Sequence, residues 1–243
     1  LLSSPTPRSS DLRFCVAFTT ISRWRGKRSV VLKNFGITPT TLEDNGEMTV
    51  DIAFDIVTRW TVRGDGKLVC QSEVRPDGVK FELARVGSRF VFDAENPLVE
   101  YYGAGPFENY RDRMSGAFLG RYRSPARDFY FPYARNEDCG NRENTRAVAF
   151  DEGTHALSFV TAGEPFAFGV NPYSPIELIE YNHPPELPES HKTEFGIYAA
   201  TRGLGGASCG PAPMTRDIID TTDDYSLAFV ISPDKMLRGV VES

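Results

Sequence analysis

The chain has 243 residues, of which 40% are hydrophobic and 25% charged, with a net charge of −6. That length can bury a substantial core, and one large all-β domain of this size is ordinary. The basic residues are scattered singly, which argues against a nucleic-acid footprint, and no apolar run approaches the ~18 residues a membrane helix needs.

Residues 1–20 read as a lead-in or divergent segment, with Ser and Pro dense in its first half, and 21–243 as a single β-sandwich domain. The chain opens on Leu1-Leu2, with neither an initiator Met nor a signal peptide, which is expected of a fragment of something longer. From Val50 to Ile56 the apolar side chains fall on even positions and both acids on odd ones, the period-two pattern of a half-buried strand. Trp60 and Val62 extend it. Arg63-Gly64-Asp65-Gly66-Lys67 then supplies hairpin chemistry, and a strand over Leu68–Val74 is expected to end at a second turn, Pro76-Asp77-Gly78.

Further strands are predicted at Val86–Phe92, Leu98–Tyr102, Ala147–Phe150, Ala156–Phe159, Phe166–Val170, Thr193–Tyr198 and Tyr225–Ile231. Turn signals recur about every ten residues, the mark of a sandwich or barrel. Gly and Pro together supply 38 residues and leave little room for long helices. Only Pro175–Tyr181 reads as helical, with Ser174 as its cap. The fold class is therefore all-β, a large antiparallel two-sheet domain. Cys15, Cys70, Cys139 and Cys209 form no CxxC pair and lack zinc spacing, so free and mostly buried thiols are expected.

Chemistry-bearing residues are sparse. Glycoside hydrolysis needs two carboxyl groups facing each other across a sugar. Glu108 and Asp112 lie four apart on a turn, and Glu137 and Asp138 are adjacent, so in a strand they would point to opposite faces. Ion pairing and turn capping suit these acids better than catalysis. A sugar epimerase would instead need an acid and a base, which His155, His183 and His191 could help supply. His155 and His191 read as solvated loop residues, and a hydrogen-bonded structural role is favoured for His183. In Gly103–Arg113 (GAGPFENYRDR), Gly103 and Gly105 admit backbone conformations closed to other residues. Arg111, Arg113, Arg142 and Arg146 could pair with Glu108 or Asp112 and lock two loops together. Tyr173 and His183 could bond across the helical turn, with core packing near the sandwich edge the favoured reading. Phe129, Tyr130, Phe131 and Tyr133 read as a strand packed on both faces, with sugar stacking as the lesser alternative.

Four segments carry a resemblance. YYGAGPFENYRDR (Tyr101–Arg113), PYARNEDCGNRENTR (Pro132–Arg146), NPYSPIELIEYNH (Asn171–His183) and GLGGASCGP (Gly203–Pro211) resemble, in that order, four motifs of one domain. It is the C-terminal, small-chain domain (domain 5) of bacterial family 2 β-galactosidases. Fainter similarity runs from Leu83–Phe90 to about Ile231. The resemblance implies a galactose-mutarotase-like supersandwich that completes one side of a galactoside site and supports assembly. Both catalytic glutamates of a retaining enzyme would lie on a preceding TIM barrel, so the chain alone is expected to be inactive.

It also implies no catalytic residue and no metal site here, the family's magnesium and sodium being held in other domains. Carbohydrate-binding or pocket-rim candidates are Glu108, Asn109, Tyr110, Arg142, Arg146, His183, Ser208 and Cys209. The implied partners are a β-galactoside or other carbohydrate and the preceding domains of the parent enzyme, with a homo-oligomer left open. Cys209 stands where the family places a substrate-facing Trp, Cys139 where it has Asn, Asp138 where it has Glu, and Tyr198 where an Asp usually precedes the glycine loop. The family's opening RAP-x-DND segment is missing. A stand-alone aldose 1-epimerase-like enzyme and a carbohydrate-binding module are the alternatives.

Overall fold

A computed structural model describes residues 21–33, 47–78, 80–153, 155–206 and 210–234. Among the described residues, eight strands form one antiparallel sheet: β1 (Ile21–Lys33), β2 (Glu47–Val62), β3 (Leu68–Gly78), β6 (Leu98–Gly105), β7 (Phe118–Pro125), β9 (Ala147–Asp151), β10 (Ala156–Thr161) and β14 (Tyr225–Ser232). A second sheet holds β5 (Arg85–Phe92), β8 (Asn141–Thr145), β11 (Phe166–Asn171) and β12 (Thr193–Thr201). A short ribbon pairs β4 (Glu82–Leu83) with β13 (Ile219–Asp220). The larger sheet runs β1-β2-β3-β14-β10-β9-β6-β7, and the smaller one β5-β12-β11-β8.

The core lies between the two sheets and is built mainly of phenylalanine. Phe150, Phe159 and Phe229 come from the larger sheet and Phe92, Phe168 and Phe195 from the smaller, all with no exposed surface. Phe195 sits at the centre, 4.8 Å from both Phe150 and Phe159, while Phe92 lies 4.6 Å from Phe150. Alternation explains the set: every second residue of each strand points inward, and a buried Phe contributes about 1.5–3 kcal/mol. Trp60 continues the row, edge-on to Phe229 at 6.2 Å.

The strands predicted from Val50 onward appear, the Phe129–Tyr133 run excepted, and the Asp65-Gly66 turn closes β2 onto β3 with Gly66 at φ 82°. The second turn does not form. Pro76, Asp77 and Gly78 stay in β3 and pair with Phe54, Ala53 and Ile52. Pairing along the long β2 overrides the local turn preference. The Phe129–Tyr133 run is likewise no strand. A 3₁₀ turn, Ala126–Phe129, buries Phe129 and leaves Phe131 exposed. Helix α1 (Pro175–Glu180) matches its sequence signals: Ser174 Oγ accepts the Glu177 N–H, and the Glu177 carboxylate accepts the Ser174 N–H.

Candidate active-site rim

The four motifs converge around one end of the sandwich. Gly103 and Gly105 belong to β6 and do not have the positive φ that their motif suggested. Their value is the missing Cβ: one at Gly103 would strike Thr145, and one at Gly105 the Tyr122 ring and the Tyr101 hydroxyl. Beyond a cis Gly105–Pro106 bond, Asn109 turns inward and is 1% exposed. Its Nδ2 donates to the Ala104 and Phe107 carbonyls at 3.1 and 2.9 Å, and its Oδ1 accepts the Glu143 N–H at 2.7 Å. Asn141 returns the contact. Its Nδ2 donates to the Asn109 carbonyl at 2.8 Å, and its own carbonyl accepts the Asn109 N–H at 2.9 Å. Two asparagines thus clasp the first motif to the second.

The carboxylates of this turn brace loops, but mostly not through arginine. Glu108 accepts the Gly140 N–H at 3.0 Å and the Tyr133 hydroxyl, and among the described residues pairs with no guanidinium. Burial, the Glu108 bond and its charge push the Tyr133 phenol up. Gly140, at φ 79°, passes between the Phe129 and Val170 carbonyls where a side chain would not fit. Asp112 accepts the Gly205 N–H at 2.7 Å, with the Arg113 guanidinium nitrogen 4.0 Å away. Arg113 itself donates to the Gly205 carbonyl. The expected lock therefore exists, but its acids hold backbone N–H groups and a phenol.

Tyr110 is 2% exposed, its hydroxyl has no hydrogen-bond partner among the described residues, and burial first, then nearby Asp138 and Glu108, push its phenol up. Arg142 is buried, donating to the Tyr101 hydroxyl at 3.1 Å and the Asn141 carbonyl at 3.0 Å, with its guanidinium 4.8 Å from the Phe129 ring centre. Arg146 bonds the Asn144 carbonyl at 2.8 Å and lies 5.8 Å from the Tyr102 ring centre. The two arginines, four apart, serve different places. Asn144 between them adopts φ 54°. His183 does not meet Tyr173: its Nδ1 lies 2.8 Å from the Ala134 carbonyl, while Tyr173 packs edge-on against Tyr130 at 5.3 Å. Ser208 and Cys209 lie outside the described residues, as does Cys15.

Sequence reasoning overlooked Glu143 and Thr201, and read Arg111 only as a partner for Glu108 or Asp112. Glu143 accepts from Asn141 Nδ2 at 2.9 Å and from the Thr201 hydroxyl. Burial nonetheless raises its pKa, because desolvation outweighs those bonds and the nearby Arg111 charge. Arg111 and Glu143 line both of two neighbouring hollows, of about 710 and 340 Å³. Thr201 reaches Glu143 from 58 residues away, a spacing with no sequence signature. A second pair overlooked in the sequence, Arg85 and Asp138, meets at 2.7 Å, and Arg85 also donates to the Tyr198 hydroxyl at 3.1 Å.

The arrangement can hold loops rigidly and present polar groups at a rim. Glu108 and Asp112 are both held by backbone N–H groups, and Asp112 lies near enough to Glu143 for its charge to help raise the Glu143 carboxyl. Comparison with known proteins agrees with the motifs. Residues 11–231 match the family described as β-galactosidase small chain. A β-galactosidase of Streptococcus thermophilus is 32% identical over 149 residues, 60% of this chain and 14% of that protein. One of Actinobacillus pleuropneumoniae is 31% identical over 192 residues, 79% of this chain and 18% of that protein. A β-galactosidase small subunit of Latilactobacillus sakei is 30% identical over 206 residues, covering 76% of this chain and 64% of that protein. The chain spans less than a fifth of the length of the first two.

Proposed function

Because the chain belongs to the β-galactosidase small-chain family, we propose that it is the non-catalytic C-terminal domain of a family 2 β-galactosidase. It completes one side of the galactoside site and supports assembly, while the two carboxylic acids of a retaining mechanism come from another part of the enzyme. One observation carries this reading. Glu108 and Asp112, the acids of the GAGPFENYRDR segment, are engaged by the Gly140 and Gly205 backbone N–H groups, so the strongest motif is spent on bracing loops. The hydroxyl-bearing and charged rim at Arg111, Glu143 and Thr201 is the face that would border the sugar site.

The test is hydrolysis of nitrophenyl β-galactoside. The isolated chain is expected to show none. Mixed with the Streptococcus thermophilus enzyme shortened by its matching segment, it should restore turnover. Hydrolysis by the chain alone that vanishes in Glu108→Gln or Asp112→Asn would overturn the proposal. The epimerase alternative has less support: His183 is bound to a backbone carbonyl and His191 lies beside Glu95, on separate loops.

A further inference from the structure

The bracing network ends in three phenylalanines turned away from the protein. Phe107, Phe118 and Phe131 are 75%, 70% and 57% exposed. They gather around one end of the β6–β7 hairpin. Phe118 pairs with Gly105, two residues before Phe107. Phe131 packs on Tyr133 with ring centres 4.6 Å apart, and Tyr133 bonds Glu108, the neighbour of Phe107.

Each ring sits on a fixed backbone. The Phe107 carbonyl accepts from buried Asn109, the Phe118 carbonyl accepts the Tyr122 hydroxyl at 2.8 Å, and the Phe131 carbonyl accepts the Tyr133 N–H at 2.9 Å. Phe118 lies on the same pleat face as core-packed Tyr122 but beyond the cover of the smaller sheet. Beside it, Leu119 is half exposed on the opposite face of β7, the last strand of its sheet. Scattered apolar residues need no explanation, but three exposed phenylalanines set on bonded backbone around one hairpin end supply the aromatic composition of an interface core.

We infer that Phe107, Phe118 and Phe131 form the docking surface for the remaining portion of a β-galactosidase, a specific site within the accessory role proposed above, on which this inference rests. The occupant follows from chain length. The Streptococcus thermophilus and Actinobacillus pleuropneumoniae relatives carry more than four-fifths of their length outside the matched segment. The Latilactobacillus sakei relative is named a small subunit. A separate subunit of such an enzyme would have to find its counterpart by surface alone. Backbone already held by hydrogen bonds lowers the entropic cost of docking, because little main-chain freedom remains to be lost.

The experiment measures binding of this chain to the Streptococcus thermophilus and Actinobacillus pleuropneumoniae enzymes, each lacking its matching segment, by interferometry and sedimentation. Phe107→Ser, Phe118→Ser and Phe131→Ser are tested singly and together, with Ile179→Ser on exposed α1 as a control. Truncating a central aromatic anchor should weaken binding by about 30-fold or more, while the thermal melt and the Ile179→Ser affinity stay unchanged. Equal affinity of the triple variant and the wild-type chain would overturn the docking surface and leave the accessory reading standing. Failure of the wild-type chain to bind either enzyme would overturn that reading and this inference with it. Self-association of the chain alone that the triple variant abolishes would reassign the surface to a second copy.

Discussion

Asn109→Ala tests the clasp that joins the first two motifs. The side chain is 1% exposed and makes three hydrogen bonds, to the Ala104 and Phe107 carbonyls and from the Glu143 N–H. Truncation strands all three backbone groups. Each stranded group costs about 1–3 kcal/mol, less where water can enter the space vacated by the amide. A total near 3 kcal/mol is expected, about 6–12 °C in melting temperature at 2–4 °C per kcal/mol for a chain of this size. Urea unfolding followed by circular dichroism measures it directly. Asn109→Asp keeps the volume but sets a carboxyl oxygen against two carbonyls, and should cost at least as much at pH 7. A loss under about 1 kcal/mol in Asn109→Ala, or a harmless Asn109→Asp, would refute the view that these bonds hold the motif.

Two further outcomes follow from burial. The Glu143 carboxyl is raised from 4.5 by desolvation, so the folded state holds its proton more tightly than the unfolded chain. Its effect on stability is therefore unfavourable and grows as pH rises from about 4.5 through its folded pKa. Glu143→Gln, which keeps an acceptor for Asn141 and Thr201, should lessen that loss and match or exceed the wild-type melting temperature at pH 7. Lower stability than wild type at all pH values would refute this account. Burial also pushes the Cys70 thiol up to about 12 and the Cys139 thiol up to about 11. In the native protein at pH 8, iodoacetamide should leave both unmodified, and peptide mapping should find them alkylated only after unfolding.

The strands were legible through their apolar runs and bounding turns: β5, β9, β11 and β14 appear within one residue of their sequence limits, while β10 and β12 run two and three residues further. Helix α1 was legible through Ser174, Pro175 and Glu177. Strands β7 and β8 were missed because FLGRYRSP and NRENT lack apolar alternation. Their pairing partners β6 and β11 and the Asn109–Asn141 clasp set them in place. At the rim, the motif letters found the right loops but not the contacts. Glu108 and Asp112 accept the Gly140 and Gly205 N–H groups, with Arg113 at 4.0 Å from Asp112, contacts that depend on where the two glycines pass. Thr201 reaches Glu143 only because β12 and β8 flank β11 in the same sheet.

The order of the larger sheet has a consequence for biosynthesis. β14 lies between β3 and β10, and among the described residues it alone joins β1, β2 and β3 to β10, β9, β6 and β7 in that sheet. Until residues 225–232 leave the ribosome, the two halves of that sheet face each other across an empty slot, each with an open hydrogen-bonding edge. The nascent polypeptide must keep both edges from neighbouring chains until its keystone strand arrives.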